Sequence, residues 1–279
     1  MNKNPSILIL CISLEQSKDR RENIEKEIDK LKSLCTNTDI DFQFFNGIYG
    51  RDLAPQYLSF INIAREQAAQ CKRPLGAGEI GCLLSHMFIW QNQIDGQYDQ
   101  YDRIIIIEDD VYLNTNQIDK KILDIVDSKE EFIFLGGHTL QSRTRIHGYP
   151  SANNLFFYML GPSDLYTTTC AYSVTKAKAQ DFLYKLIKRP TYVDDWKYLL
   201  KNRLTTPYYF CFEQGGKNDS AINLDRLQNK NIKKPNRIQK NLTKIKNDLI
   251  ARLKLLIVFK HCSSLAEFLK KNNEDFYKS

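Results

Sequence analysis

The feature that most constrains the fold is a run of β-branched residues, Arg103–Ile107, that leads directly into three consecutive acids, Glu108-Asp109-Asp110. The isoleucines of this run leave no polar face, so it predicts a strand in the middle of a sheet with both faces covered. A sheet covered on both faces needs helices on both sides, which is typical of α/β proteins. The run therefore favours an α/β fold, with the three acids at the carboxyl end of a central strand.

The rest of the first 215 residues supplies the other elements of such a fold. Ser6–Ile12 is a short apolar strand, Ser17–Leu34 has apolar positions at helical spacing, and Asp41–Phe45 alternates as a second strand, so the chain opens β-α-β. Further helices are predicted at Tyr57–Ala69, from Glu79 to near Gly96, at Asn116–Val126 with Asn114 or Thr115 as cap, at Lys176–Ile187 and from Asp194. Further strands are predicted at Glu131–Leu135, Cys170–Val174 and Tyr208–Phe212. Ser142–Thr169 is predicted to be a long irregular region, which is usually functional or mobile.

Charge divides the chain into a near-neutral part and a basic part. The net charge is +7, and residues 217–279 alone balance to +9, which leaves −2 for the rest. We therefore predict a body of residues 1–215 and a basic, largely helical extension of residues 216–279. Its stretch Lys240–Lys260 carries leucines on one stripe, and such a helix either lies on an anionic membrane surface or packs on the body. Few aromatics are interleaved with the basic residues, so nucleic-acid binding is not expected.

The cysteines and the N-terminal segment predict a cytoplasmic protein. The 7 cysteines are scattered without a C-x-x-C pair, and apolar neighbours indicate buried thiols in a reducing compartment. The N-terminal apolar run lacks a cleavage site of small residues. It is also far shorter than the ~20 apolar residues that a membrane span needs.

The acidic triplet is the first candidate for chemistry. Ligands of open α/β sheets bind at the carboxyl ends of strands, and carboxylates there suit a hard cation such as Mg²⁺ or Mn²⁺. A divalent ion bridging two phosphates would favour departure of a nucleotide as leaving group. On spacing alone, a solvated turn explains Glu108-Asp109-Asp110 equally well.

Three further segments carry polar groups whose roles the spacing leaves open. Asp194-Asp195 could supply a general base, or a helix cap with a first-turn acid. Gly78–His86 has glycines that allow close backbone approach to a ligand, but a single histidine on an apolar helix favours a core role. Ser13–Arg21 follows the first strand, where its basic residues could meet a phosphate or form a solvated helical turn. The dinucleotide and P-loop glycine motifs are absent, and no Cys/His set has zinc spacing.

Taken in order, four stretches resemble the glycosyltransferase family 25 enzymes, which build bacterial lipooligosaccharide and have collagen galactosyltransferases as distant relatives. The stretches are ILCISLEQSKDRRENI, FFNGIYGRDL, LGAGEIGCLLSHMFIW and IIIIEDDVYL. The resemblance covers roughly residues 6–200. It implies a GT-A-like nucleotide-sugar-binding fold, an inverting transfer, a UDP-hexose donor, commonly UDP-galactose, and usually Mn²⁺.

The resemblance also implies roles for individual residues. Asp110 is the first expected metal ligand and Glu108 the second, and Asp195 or Asp194 is the expected catalytic base. Expected acceptor contacts are Thr169 and Tyr172. The expected donor-binding residues are Ser13, Leu14, Arg20, Arg21, Glu79, Ser85, His86 and Asp109.

The expected activity is transfer of a hexose, galactose first, to a sugar hydroxyl of a lipid-linked lipopolysaccharide-core acceptor. The expected place is the cytoplasm or the cytoplasmic face of the inner membrane. Glucosyl or N-acetylhexosaminyl transfer remains open, because no residue discriminates the configuration at C4 of the sugar. A non-catalytic sugar-binding relative and a nucleic-acid binder using the tail are the alternatives from other classes.

Overall fold

The run Arg103–Ile107 forms the core of a central strand. The structure, a computed structural model, describes residues 4–53, 57–71, 74–137, 146–160, 168–201, 203, 205–215 and 263–271. The strands in this part are β1 (Ser6–Ser13), β2 (Asp39–Asn46), β3 (Arg103–Glu108), β4 (Val111–Leu113), β5 (Phe132–Gly136), β6 (His147–Pro150), β7 (Phe157–Leu160), β8 (Ala171–Val174), β9 (Thr205–Gln214) and β10 (Ser263–Ser264). The helices are α1 (Lys18–Leu34), α2 (Leu58–Cys71), α3 (Ala77–Ile94), α4 (Ile118–Asp127), α5 (Lys176–Lys188), α6 (Trp196–Leu199) and α7 (Leu265–Lys271).

The strands form one mixed sheet in the order β10-β6-β7-β9-β5-β8-β3-β1-β2, with β4 paired to β9. Strands β2, β1 and β3 are parallel neighbours. Strand β8 is antiparallel to both β3 and β5, and β9 is parallel to β5. Strands β1, β2, β3, β5 and β9 therefore all point the same way, and their carboxyl ends share one edge of the sheet.

Both faces of the sheet are covered, as the isoleucine run predicts. Alternate residues point to opposite faces, so Ile104 and Ile106 enter one core while Ile105 and Ile107 enter the other. The first core is built with α3 and α5 and includes Trp90. The second core is built with α1 and α4. The predicted α/β sheet flanked by helices is confirmed.

Three local predictions need correction. Ser142–Thr169 is not irregular throughout, because β6 and β7 pair antiparallel within it. Strand β4 was not predicted. Helix α4 begins at Ile118 after Gln117, which adopts a left-handed backbone conformation with φ of 50°. Neither Asn114 nor Thr115 is the residue that precedes the helix, since Asn114 Oδ1 instead accepts a hydrogen bond from the backbone of Asn116.

Four of the cysteines predicted to be buried thiols are buried and form no disulfide within the described residues, namely Cys11, Cys35, Cys170 and Cys211. Cys82 is free and partly exposed. Within the described ranges, no helix combines the length and apolar character required to cross a membrane.

The C-terminal extension returns to the sheet in its described part. Ser263 and Ser264 pair with Gly148 and His147 of β6. One helical turn later, the Phe268 ring lies 5.0 Å from the Phe157 ring, measured between centroids. The predicted helix Lys240–Lys260 lies outside the described residues, and the division at residue 215 stays a prediction.

Candidate active site

The polar groups singled out in the sequence meet at the edge where the parallel strands end. Ser13 ends β1, Asn46 ends β2, Glu108 ends β3 and Gln214 ends β9. Strand β8 runs the other way, so the residues before it, including Thr169, lie at the same edge. The fold thus assembles this edge from five strands that are far apart in sequence.

The three acids point in different directions, and Asp109 faces helix α1. Its carboxylate accepts hydrogen bonds from Ser13 Oγ at 2.8 Å and from Arg20 at 2.9 Å. Arg21 donates to the backbone oxygen of Ser13 at 2.9 Å and to Asn46 Oδ1 at 2.6 Å. These contacts join the ends of β1, β2 and β3, so Arg20 and Arg21 are partly engaged in holding the edge together. Leu14, half-buried, follows this junction.

Glu108 faces the opposite side, towards α3. Thr169 Oγ1 donates to Glu108 Oε1, and His86 Nε2 lies 3.7 Å from the same oxygen. Burial alone would raise the pKa of Glu108, but the imidazole of His86, the Thr169 hydroxyl and the charge of Arg20 outweigh it and hold this pKa below its usual range. Glu108 is therefore a carboxylate anion beside a buried histidine.

Asp110 lies beside the end of β9. Gln214 Nε2 donates to Asp110 Oδ2 at 3.2 Å, and the backbone N–H of Gly215 donates to the backbone oxygen of Asp110 at 2.6 Å. The other carboxylate oxygen, Oδ1, is buried and has no hydrogen-bond partner among the described residues. Burial and the neighbouring charge of Glu108 raise the pKa of Asp110 to about 7. A buried carboxylate oxygen without a donor is a fitting ligand for a hard cation.

The histidine is oriented by a buried network. Trp90 Nε1 donates to the Tyr172 hydroxyl at 3.0 Å, and this hydroxyl lies 2.7 Å from His86 Nδ1. The indole N–H occupies one lone pair of the Tyr172 oxygen, so this hydroxyl can either donate its proton to Nδ1 or accept a hydrogen from Nδ1 with its second lone pair. The other ring nitrogen, Nε2, lies on the Glu108 side. Tyr172 is fully buried, which places it behind His86 rather than at an acceptor-facing surface.

The amino-terminal turns of α3 pack tightly on the segment after β2. A Cβ atom on Gly81 would lie 2.2 Å from the Ile48 backbone oxygen, so only glycine permits this approach. Ser85 Oγ accepts from the Ile48 N–H at 2.9 Å and donates to the Gly81 oxygen at 2.7 Å. Glu79 caps the helix through the N–H of Gly76 at 3.0 Å. Ser85 and Glu79 thus have structural partners, and their expected donor contacts stay predictions.

The two acids expected to supply the base lie in different surroundings. Asp195 Oδ2 accepts a hydrogen bond from Thr191 Oγ1 at 3.3 Å, four residues earlier in the chain. Asp194 lies close enough to Cys82 for its charge, after burial and Glu108, to help raise the pKa of that thiol. The segment is tied to the edge because Trp196 Nε1 donates to the Thr168 oxygen at 3.1 Å.

The structure therefore forms two groups of predicted residues around the triplet. Asp109 lies with Ser13, Arg20 and Arg21, and Glu108 lies with His86 and Thr169.

Two residues of the site, Gln214 and Cys82, were not predicted from the sequence. Gln214 carries no local signal, because it is 104 residues from its partner Asp110. Cys82 precedes His86 by one helical turn, a spacing that was visible but that lacked a third ligand nearby in sequence.

Comparison with known proteins gives the family. Residues 6–196 match the sequence profile described as glycosyltransferase family 25 (LPS biosynthesis protein). The human procollagen galactosyltransferase 2 is 28% identical over 156 residues, which cover 53% of this chain and 23% of that protein. A Haemophilus influenzae protein named as a glycosyltransferase is 25% identical over 177 residues, 63% of this chain and 56% of that one. A solved glycosyltransferase involved in glycosylation of the PBCV-1 major capsid aligns with a TM-score of 0.40 and 10% identity over 80% of this chain and 98% of its own.

The chain spans less than two thirds of either curated relative. The profile match covers the strands that build the acidic edge except β9, which lies beyond residue 196. The β1 end, the amino-terminal part of α3, the triplet and Asp194-Asp195 all fall within the matched residues. The protein belongs to glycosyltransferase family 25.

Proposed function

We propose that the protein is an inverting glycosyltransferase that moves a hexose, galactose in the first instance, from a UDP-sugar to a sugar hydroxyl of a lipopolysaccharide-core acceptor. The observation that carries the proposal is the acidic triplet at the shared carboxyl edge, with an unpaired buried oxygen on Asp110. Such an edge is where α/β sheets bind their ligands. Family membership supplies the reaction class.

The names of one relative and of the family support the choice of donor sugar and acceptor. The human relative is a galactosyltransferase, which supports galactose as the sugar. The family description as an LPS biosynthesis protein supports a lipopolysaccharide acceptor. Glucose and N-acetylhexosamine donors are the competing outcomes of the donor experiment below.

Asp110 is the residue best fitted to hold Mn²⁺ or Mg²⁺, with Glu108 as the supporting carboxylate. The raised pKa of Asp110 reflects burial and repulsion from Glu108, and a bound cation would relieve both. The cation, when bound, supplies positive charge to the departing diphosphate. Asp109 accepts hydrogen bonds from Ser13 and Arg20, so we assign it the structural role of joining the end of β3 to β1 and α1.

For the base we propose Asp194 in place of Asp195, because Asp194 lies on the Cys82–Glu108 side of the site and Asp195 is engaged by Thr191. The acceptor hydroxyl oxygen would attack the anomeric carbon as the bond from that carbon to the UDP oxygen breaks. Asp194 would take the hydroxyl proton. A single displacement inverts the anomeric configuration and needs no second nucleophile.

The first experiment is a thermal-shift screen of UDP-galactose, UDP-glucose and UDP-N-acetylhexosamines, each with and without Mn²⁺. We expect UDP-galactose with Mn²⁺ to raise the melting temperature most, and Asp110→Asn to lose the part of the shift that depends on Mn²⁺. Exposed Asp52→Asn serves as the matched control and should keep it. A protein that no UDP-sugar stabilises under either condition would contradict the proposal.

The second experiment compares Asp194→Asn with Asp195→Asn in galactose transfer. Removing a general base costs about 10²–10⁴-fold in turnover. We expect Asp194→Asn to lose turnover on that scale while UDP-galactose binding survives, and Asp195→Asn to lose much less. The reverse ranking would return the role to Asp195. Transfer at the wild-type rate in both variants would exclude both acids as the base. A wild-type protein that binds UDP-sugar but transfers no sugar would indicate a non-catalytic relative.

A lipid-linked acceptor would place the enzyme at the cytoplasmic face of a membrane, and the basic stretch Lys240–Lys260 is the segment we propose for that contact. Its charge suits anionic lipid. Flotation with anionic liposomes, comparing the full chain with one ending at Gly215, tests it. Equal lipid binding by both would remove the role from the extension.

A further inference from the structure

Beside the acidic edge, three side chains from two remote parts of the chain form a compact set of metal-ligating atoms. Cys82 and His86 lie one turn apart on α3 and so share a helix face. Glu108 reaches the same point from the end of β3. One ligand atom from each, the thiol sulfur, an imidazole nitrogen and a carboxylate oxygen, lies within 4.8 Å of the other two.

A second observation points to a ligand at this place. His86 is fully buried, and its Nε2 has no hydrogen-bond partner within the described ranges. Nε2 lies 3.7 Å from Glu108 Oε1, which is too long for a hydrogen bond. Two nitrogen or oxygen ligands of one tetrahedral zinc ion are separated by roughly 3.4 Å, given zinc–ligand bonds of about 2.1 Å. The observed spacing is therefore close to that of two ligands on a common ion.

The composition of the set decides which ion it suits. A thiolate, an imidazole and a carboxylate are the ligands that zinc and cobalt accept in tetrahedral sites. Mg²⁺ and Mn²⁺ prefer oxygen, and Asp110 on the β9 side offers that chemistry instead. The geometry points to a site for a thiophilic divalent cation, Zn²⁺ in particular, formed by Cys82, His86 and Glu108 and distinct from the Asp110 position.

The surroundings of the set agree with such a site. With a metal ion on Nε2, the ring hydrogen of His86 would lie on Nδ1 and be donated to the Tyr172 hydroxyl oxygen 2.7 Å away, which is the outer-shell contact that commonly orients a metal-bound histidine. Thr169 holds Glu108 in the same way through Oε1. On binding, the Cys82 thiol would release its proton to solvent and coordinate as the thiolate. Three protein ligands leave a fourth position for water, as in open zinc sites.

Occupation of this site has a consequence for the rest of the edge. Glu108 would be committed to the α3 side and would no longer support a cation at Asp110. That consequence rests on the proposed function, whereas metal binding itself can be measured without any sugar nucleotide. Failure of one proposal is therefore distinguishable from failure of the other.

The test is a titration of the metal-free full chain with Co²⁺, followed by absorption spectroscopy. Cobalt bound by a thiolate in a tetrahedral site gives a sulfur-to-metal charge-transfer band and intense visible bands. We expect one equivalent of Co²⁺ to develop these bands and Zn²⁺ to bleach them. Mg²⁺ at the same concentration should leave them unchanged.

Variants assign the signal to the site. Cys82→Ser should abolish the charge-transfer band, and Glu108→Gln should keep a weakened band, because the thiolate and imidazole remain. Cys35→Ser removes another buried thiol, at the end of α1, and should keep the wild-type spectrum. Melting curves without metal check that each variant folds, and Cys82→Ala is a second substitution at the same position should serine fail.

Three results would overturn the inference. The first is a wild-type protein that develops no charge-transfer band with Co²⁺. The second is a band that persists in folded Cys82→Ser or Cys82→Ala. The third is bleaching by Mg²⁺ as efficient as bleaching by Zn²⁺, which would identify an oxygen site.

Discussion

At the scale of single residues, Asp110 combines burial, an unpaired oxygen and a pKa of about 7. The folded protein holds the Asp110 proton more tightly than the unfolded chain, where the pKa is near 3.8. The contribution of this group to stability is therefore most favourable below the unfolded pKa. This contribution to the free energy of unfolding falls as pH rises from the unfolded pKa towards 7, and it is constant above pH 7. The total loss of stability is at most about 4 kcal/mol.

We predict that Asp110→Asn removes this loss, because a neutral amide cannot ionise. In buffer containing a chelator, the variant should gain stability relative to wild type between pH 5 and pH 8, measured as urea midpoints at each pH. Exposed Asp52→Asn should follow the wild-type profile. Parallel profiles for Asp110→Asn and wild type across this range would contradict the prediction.

The sequence predicts the position of these acids but not their partners. Arg103–Ile107 indicates a central strand, and the acids follow from it directly. Strand β3 ends at Glu108, and Asp109 and Asp110 lie in the turn that follows. Their partners Arg20 and Gln214, and Thr169 as the partner of Glu108, are 61 to 104 residues away along the chain. Such contacts depend on strand order and register, which periodicity along one segment does not contain.

At the scale of elements, long periodic segments were predicted well, and the short strands β4, β6 and β7 were not. The isoleucine run and the amphipathic pattern of α1 each extend over enough residues to define a period. Strands β6 and β7 have four residues each, and β6 contains Gly148 and Pro150. Those residues are depleted in strands, so the local pattern is that of a loop. Their pairing with each other and with β9 is what stabilises them.

The contact between α3 and the segment after β2 gives a prediction at the same scale. Gly81→Ala would gain up to ~1 kcal/mol in helix propensity, but its Cβ would lie 2.2 Å from the Ile48 backbone oxygen. Because backbone rather than a flexible side chain must move, we expect a net loss of about 2 kcal/mol in the free energy of unfolding.

Gly47→Ala is the matched control, since its Cβ would meet no atom closer than 3.4 Å. Chemical denaturation of both variants measures the difference. If Gly81→Ala proved as stable as wild type, the tight approach of α3 to this segment would be refuted. The same variant should weaken the hydrogen bond from Ile48 to Ser85, next to His86.

At the scale of the whole molecule, the basic extension is not simply appended to the body. Charge alone separates residues 217–279 from the rest, and a boundary at residue 215 follows from that composition. The described segment 263–271 nevertheless adds β10 to the free edge of β6 and places Phe268 on Phe157. Composition cannot reveal this return, because the two-residue strand and one short helix carry no periodic signal.

The return of the chain makes the extension a determinant of stability for the β6–β7 side of the sheet. Phe268 is 7% exposed and Phe157 is fully buried, so removing the Phe268 ring opens a cavity over β7. We expect Phe268→Ala to lose on the order of 3 kcal/mol in free energy of unfolding. Lys270→Ala, an exposed change on the same helix, should stay within about 0.5 kcal/mol of wild type. Urea unfolding followed by far-ultraviolet circular dichroism measures both. Equal midpoints for the two variants would mean that the extension does not stabilise the sheet, and a chain ending at Gly215 would then retain the stability of the full protein.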